Sequence, residues 1–191
     1  MRLRNLARDR STVDTVLSRQ IERIDERPDL VTITMGGNDL LMAYGNEVAG
    51  ADAVLHVAET ADRILRRLRE LAGPVPVVLS TVYDPSDGTA WATGDLPCWP
   101  AGIGLLYDLN AVLAEVAEDH GAMLADVHAA FRGHGASAGD PGQPEPRPAN
   151  RDLWYRDTVG PNAWGAAAIA ACWWSALLAA EVFTRARRVP A

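Results

Sequence analysis

The sequence predicts an α/β fold, a doubly wound three-layer α/β/α sandwich around a parallel sheet. Short all-apolar runs alternate with long helical stretches, as strands joined by helical crossovers do. Short, mainly apolar strands of this kind suit a parallel sheet covered on both faces. At 191 residues, 48% apolar and 23% charged, the chain is long enough to bury a core without staples. No internal repeat and no linker divides it, so residues 1–191 are expected to form one domain.

Ser11 and Asp14 resemble a capping box, with Asp in place of the usual Glu, and Val13, Val16, Leu17, Ile21 and Ile24 recur at helical spacing. They predict a helix over 12–26, stopped by Pro28-Asp29. The β-branched run 30–35 then reads as a strand that ends in the sharp loop Gly36-Gly37-Asn38-Asp39. From Glu47 to Ala72 the apolar positions trace one helical face, and Gly73-Pro74 ends it. Val75 to Leu79 is a second buried strand. The segment 80–98, rich in Pro, Gly and Asp, is a long ligand-facing loop. A helix over 101–120 closes at Gly121, and 122–127 is a third strand. Residues 135–150 carry four prolines and three glycines and are read as a low-complexity loop. Pro161 opens a last helix to about Arg185, apolar on more than one side and expected to pack deeply.

Composition removes several function classes. The net charge is −7 and every basic residue is Arg, so the chain repels phosphate backbones and nucleic-acid binding is not expected. Two cysteines, Cys98 and Cys172, are too few and too far apart for a disulfide framework or a zinc site, and no metal site is expected. No stretch of roughly 18 apolar residues marks a membrane span. The amino terminus lacks the apolar segment of a secretory signal, so a cytoplasmic location is expected.

In a parallel α/β sheet, ligands sit outside the carboxyl ends of the strands. After the first strand, Gly36 and Gly37 permit close backbone approach and Asn38 could donate to a bound oxygen, although the same four residues also make ordinary turns. Thr81, Tyr83 and Asp84 follow the second strand and are common loop residues. After the third, Asp126 precedes His128, and His134 lies in a glycine-flanked loop nearby. A carboxylate that orients an imidazole is a general-base arrangement, and either histidine could equally be a loop residue. His56, within a helix, and His120, at the opposite end of its strand, read as structural.

The segment Val31-Thr-Ile-Thr-Met-Gly-Gly-Asn-Asp-Leu-Leu41, with Asn5-Leu-Ala7 before it, resembles the SGNH (GDSL-type) hydrolases, esterases and lipases on a flavodoxin-like sheet. Ala125-Asp-Val-His-Ala-Ala-Phe131 and Gly160-Pro-Asn-Ala-Trp-Gly165 extend the likeness over essentially the whole chain. The resemblance implies that Asn38 is an oxyanion-hole donor, that Gly37 shapes its loop and that Asp157 belongs to an Asp-x-x-His pair. It implies a small-molecule ester as substrate and no cofactor.

The sequence departs from that pattern in three places. No Gly-Asp-Ser block is present, and the strand that carries it in the family would lie upstream of Met1. Arg10 stands where the family has an oxyanion-hole glycine, and Gly160 where it has its catalytic histidine. One expectation is therefore a shortened esterase in which His128 or His134 replaces the missing base. Another is an inactive relative that keeps the fold as a ligand-binding or interaction module. A nucleotide or flavin site is disfavoured, because no glycine-rich phosphate loop appears. Loss of the first strand, central in the family, predicts either re-pairing of its neighbours or exposed sheet edges through which two copies associate.

Overall fold

The computed structural model describes residues 2–91, 96–139 and 152–182. Most of the predicted low-complexity loop, 140–150, lies outside them, as does the end of the last predicted helix beyond 182.

Three parallel strands, β1 (Val31–Ile33), β2 (Val77–Ser80) and β3 (Met123–Ala125), form a sheet in the order β1-β2-β3. Val31 lies opposite Val77, and Val78 opposite Met123. The crossovers are α3 (Glu47–Ala72) and α4 (Pro100–Asp119). Two crossovers of one hand in a sheet ordered as the sequence place both helices on the same face. The α3 stripe of Val54, Val57, Ala61, Ile64, Leu65 and Leu68 joins Leu105, Leu109 and Leu113 of α4 and Leu79 of β2 in the main core. Each large aliphatic side chain buried there contributes about 1.5–3 kcal/mol.

Helix α3 has the predicted bounds because both ends are punctuated. The Asn46 side chain accepts from Ala49 N–H at 3.1 Å, and Gly73 takes φ +72° where the chain must turn out. Strand period 2 turns Val78 and Ser80 to the opposite face, where α6 (Ala163–Ala179) packs. There Trp173 Nε1–H donates to Ser80 Oγ at 2.7 Å. The chain thus has the expected α/β/α layering.

Five details differ from the sequence reading. The first helix is short and mixed: α1 (Val13–Thr15) passes into a π-helical turn (Val16–Gln20) and a 3₁₀ turn (Ile21–Arg23). Ser18 Oγ–H donates to the Asp14 carbonyl at 2.6 Å, a back-bond that competes with the helical ladder at the point where it widens. Asp25 and Glu26, predicted within that helix, instead pair with Arg4 and Arg2. The motif after β1 is not only a turn, since it enters the short helix α2 (Gly37–Met42), and Val127 starts α5 (Val127–Phe131) rather than ending β3.

The remaining two concern the sheet. Helix α6 does not pack deeply: only Gly165 and Leu177 are buried, while Trp164 is 69% and Trp174 55% exposed. A three-stranded sheet is too narrow to cover that helix, which meets β2, β3 and α5 only on one side. No strand precedes β1 among the described residues, so neighbours do not re-pair and β1 is an edge. Val31 N–H bonds Pro76 of the β2 side, which turns the N–H and C=O of the exposed Thr32 outward.

Candidate functional site

A pocket of about 420 Å³ opens at the carboxyl ends of the strands. Residues 34–38 after β1, 81–86 after β2 and Val127 after β3 contribute to it, together with residues 7–11 and the α4 start. Its apolar part comes from Leu41, Tyr44, Trp99, Ile103 and Leu106. A volume at the lower end of the usual ligand-pocket range, with a mainly apolar wall and a few polar groups, suits a small acyl compound.

The Gly36-Gly37-Asn38-Asp39 element builds one side. Gly36 has φ +91°, and a Cβ there would lie 3.1 Å from Leu109 Cδ1 and 3.2 Å from Val57 Cγ1, so both conformation and space require glycine. Gly37 lies against Val82, 3.1 Å from Cγ1 to the Cβ that glycine lacks. Asn38 Nδ2 donates to the Ser11 carbonyl at 2.9 Å, which uses one of its two N–H bonds and fixes the amide plane at the pocket. Asp39, only 8% exposed, accepts Val13 N–H at 3.2 Å from both carboxylate oxygens. Burial raises the Asp39 pKa above the ordinary carboxylate range, opposed in part by the Val13 bond. Asn38 and Asp39 therefore clamp the turn 9–13 from two sides. That turn carries Arg10 at φ +57°, the left-handed region that favours glycine.

Around the next two strand ends the polar groups hold backbone. Asn110 of α4 grips Val82 twice, accepting its N–H at 2.6 Å and donating to its carbonyl at 2.9 Å. Thr81 Oγ1–H donates to Asp126 Oδ1 at 3.1 Å and accepts His128 N–H at 2.9 Å. Asp126 caps α5 by accepting Ala129 N–H at 3.0 Å. Asp87, which the sequence reading passed over, ties two loops together: it accepts Gly133 and Gly135 N–H at 2.9 Å and the Ser137 hydroxyl at 2.6 Å.

Of the five residues singled out in the sequence, Asn38 and Gly37 line the pocket, and Asp157, His128 and His134 do not. The Asp126 carboxylate and the His128 ring share no hydrogen bond. His128 Nδ1 lies 3.1 Å from the Val82 carbonyl and its ring packs against Tyr107, while the Asp126 carboxylate is occupied as a cap. His134 is 1% exposed, stacked on Trp154 with centroids 3.3 Å apart, and Nδ1 lies 2.7 Å from the Asp152 carbonyl. Burial and the Trp154 stack hold its ring outside the pocket lining. His56 and His120 meet Asp14 and Asp62.

All four histidines and all six serines lie within the described residues, and none of these serines shares a hydrogen bond with a histidine. Asp157 closes its own turn, accepting Gly160 N–H at 2.6 Å and Val159 N–H at 3.2 Å. The Gly160 bond, then the Val159 bond and Arg156, hold its carboxyl below the usual range. A Cβ on residue 160 would lie 2.7 Å from both Asp157 carboxylate oxygens. Tyr83 Oη–H donates to the Val159 carbonyl at 2.9 Å and stacks on Phe131, and burial pushes its pKa up to about 12, so it stays a neutral donor.

Among the described residues no group of three or more His, Cys, Asp or Glu could hold a metal ion, and no helix is long and apolar enough to cross a membrane.

Comparison with known proteins agrees with the α/β fold. A lipase of Streptomyces rimosus is 30% identical over an alignment that covers 66% of this chain and 53% of the lipase, so the chain spans about half of that relative's length. The crystal structure of the extracellular lipase from S. rimosus superposes with a TM-score of 0.63 at 24% identity, covering 87% of this chain and 77% of the other. LAE5, an α/β hydrolase from the Lake Arreo metagenome, gives 0.62 at 21% identity over 87% and 68%. The acetylxylan esterase Axe2 of Geobacillus stearothermophilus gives 0.61 at 19% identity over 88% and 68%. The profile of the GDSL-like Lipase/Acylhydrolase family matches residues 2–168, and the chain belongs to that family.

Proposed function

We propose that the pocket binds a small acyl ester or acid, with the free N–H of Asn38 directed at the acyl oxygen and Gly37 giving the loop its shape, and that this polypeptide does not by itself cleave the ester. The observation that carries the proposal is a pocket with a fixed amide and an apolar wall but no histidine in its lining. A covalent route needs a hydroxyl or thiol activated by a base within hydrogen-bond reach. Ser11 and Ser86 line the pocket, yet the Ser11 hydroxyl accepts from Gln20 at 2.8 Å, and neither serine has an imidazole beside it. The test is hydrolysis of p-nitrophenyl butyrate by the wild type and by Asn38→Ala, with binding of a non-hydrolysable butyryl ketone measured in parallel. Saturable binding with no turnover above the variant supports the proposal. Turnover that disappears in Asn38→Ala would show that the chain is a complete enzyme.

The open edge of β1 favours a second reading, a shortened esterase whose Gly-Asp-Ser strand lies upstream of Met1 and pairs with Thr32. A version extended upstream from the genomic locus that hydrolyses the ester, where the 191-residue chain does not, establishes it. If the same edge instead pairs with a second copy, the chain runs as a dimer.

A further inference from the structure

The pocket rim carries a charge pattern that an ester does not need. Arg8 and Arg10 both line it, and neither guanidinium has a hydrogen-bond or ion-pair partner among the described residues. The carboxylates of the same rim are occupied. Asp9 Oδ1 accepts Arg10 N–H at 3.0 Å, and Asp84 accepts Ser86 N–H at 2.8 Å and Gly88 N–H at 2.7 Å. Those bonds hold the two carboxylates on backbone N–H groups rather than on the guanidiniums, whose donors no described residue uses. The Arg10 position is also held rather than loose, because Asn38 grips Ser11 on one side of it and Asp39 grips Val13 beyond. That grip keeps a non-glycine residue in a left-handed conformation at the mouth of an apolar pocket.

We infer that the preferred ligand is an amphiphilic carboxylate, an acyl acid rather than its ester, whose chain lies against Trp99, Ile103 and Leu106 and whose carboxylate pairs with Arg8 and Arg10. Two planar guanidiniums can offer several charge-assisted N–H donors to one carboxylate, contacts roughly twice as strong as neutral ones. An uncharged ester or alcohol gains only the wall. The chain's net charge of −7 repels anions at long range, so any preference for the acid must arise at this rim. This inference rests on the pocket being the binding site, as proposed above.

The experiment compares octanoate with 1-octanol, matched in chain length, by isothermal titration at pH 8, where the acid is fully ionised. The expected result is about tenfold tighter binding of octanoate, equal to 1.4 kcal/mol. The Arg8→Gln/Arg10→Gln double variant should bring the ratio to about one, while 1-octanol affinity changes by less than about twofold. Arg10→Gly, which relaxes the backbone, should lower the ratio without unfolding the rim, as checked by circular dichroism. Equal affinity of the wild type for the two ligands overturns the carboxylate inference alone, as does a ratio unchanged in both variants. Binding of neither ligand overturns it together with the pocket reading.

Discussion

Asp39→Ala removes the only acceptor of Val13 N–H among the described residues, and Val13 is the first residue of α1 and fully buried. A buried donor left unpaired costs about 1–3 kcal/mol, and deleting a carboxylate that burial already disfavours returns part of it. A net loss of about 1–2 kcal/mol follows, or a fall in Tm of about 2–8 °C for a chain of this length. Asp39→Asn keeps an acceptor oxygen and sheds the charge, so at pH 7 it should stay within about 0.5 kcal/mol of the wild type.

The two substitutions also separate in pH. A carboxyl whose folded pKa is raised binds more protons folded than unfolded, so its contribution is fully present below the unfolded pKa of about 3.9 and is lost as pH rises through the folded value. His56 lowers that value and Asp14 raises it, both less than burial does. Urea denaturation followed by circular dichroism, at intervals from pH 4 to pH 8, reads the effect. Asp39→Asn should gain on the wild type as pH increases across that window. Superimposable pH profiles, or an Asn variant as unstable as the Ala variant, would show that the side chain is not a buried acceptor of Val13.

Other substitutions probe the remaining parts of the site. Asn38→Ala should cost about 0.5–1.5 kcal/mol in urea melts through loss of the Ser11 bond. In any form of the protein that hydrolyses esters, it should also lower kcat about 10²–10³-fold. Thr32→Pro removes an outward N–H and leaves the β1–β2 ladder intact, so light scattering should show a monomer if wild-type association uses this edge. Asp87→Ala releases the Gly133, Gly135 and Ser137 amides, and limited proteolysis should cut 84–90 or 132–138 sooner than in the wild type.

Helix α3 could be read to the residue because a long apolar stripe ends at a capping Asn and a Gly-Pro pair, all local signals. The helix after Ser11 could not, because the Ser18 back-bond that widens it is the same spacing an ordinary helix shows. The surplus apolar surface of α6 was visible, yet its exposure depends on how many strands lie beneath it, which periodicity does not encode. At the site, Gly36 to Asp39 stood out as an interruption of pattern. Asp87 and Asn110 did not, since each acts on backbone 28 or more residues away and looks locally like any polar residue. Sequence adjacency also suggested an Asp126–His128 pair that the short helix α5 separates, turning the carboxylate to the helix amides and the ring to Val82.

Arg10, which lines the pocket, and Gly160, between the lining residues Val159 and Pro161, are coupled to the structure around them, which bears on whether a single exchange could supply a catalytic group at either position. At residue 160 the volume a side chain would use is occupied by the Asp157 carboxylate, itself bonded to the Gly160 and Val159 amides. An imidazole there must first turn Asp157 out and free both N–H groups. At residue 10, glycine would relieve the left-handed backbone, but its N–H is bonded to Asp9 and so is not free to meet an acyl oxygen. Each position is closed by a neighbouring carboxylate that caps its own turn. The Asp9 bond that occupies the residue 10 amide leaves the Arg8 and Arg10 guanidiniums without a partner among the described residues, so the carboxylate binding inferred above and an oxyanion role for that amide make opposite demands on the same turn.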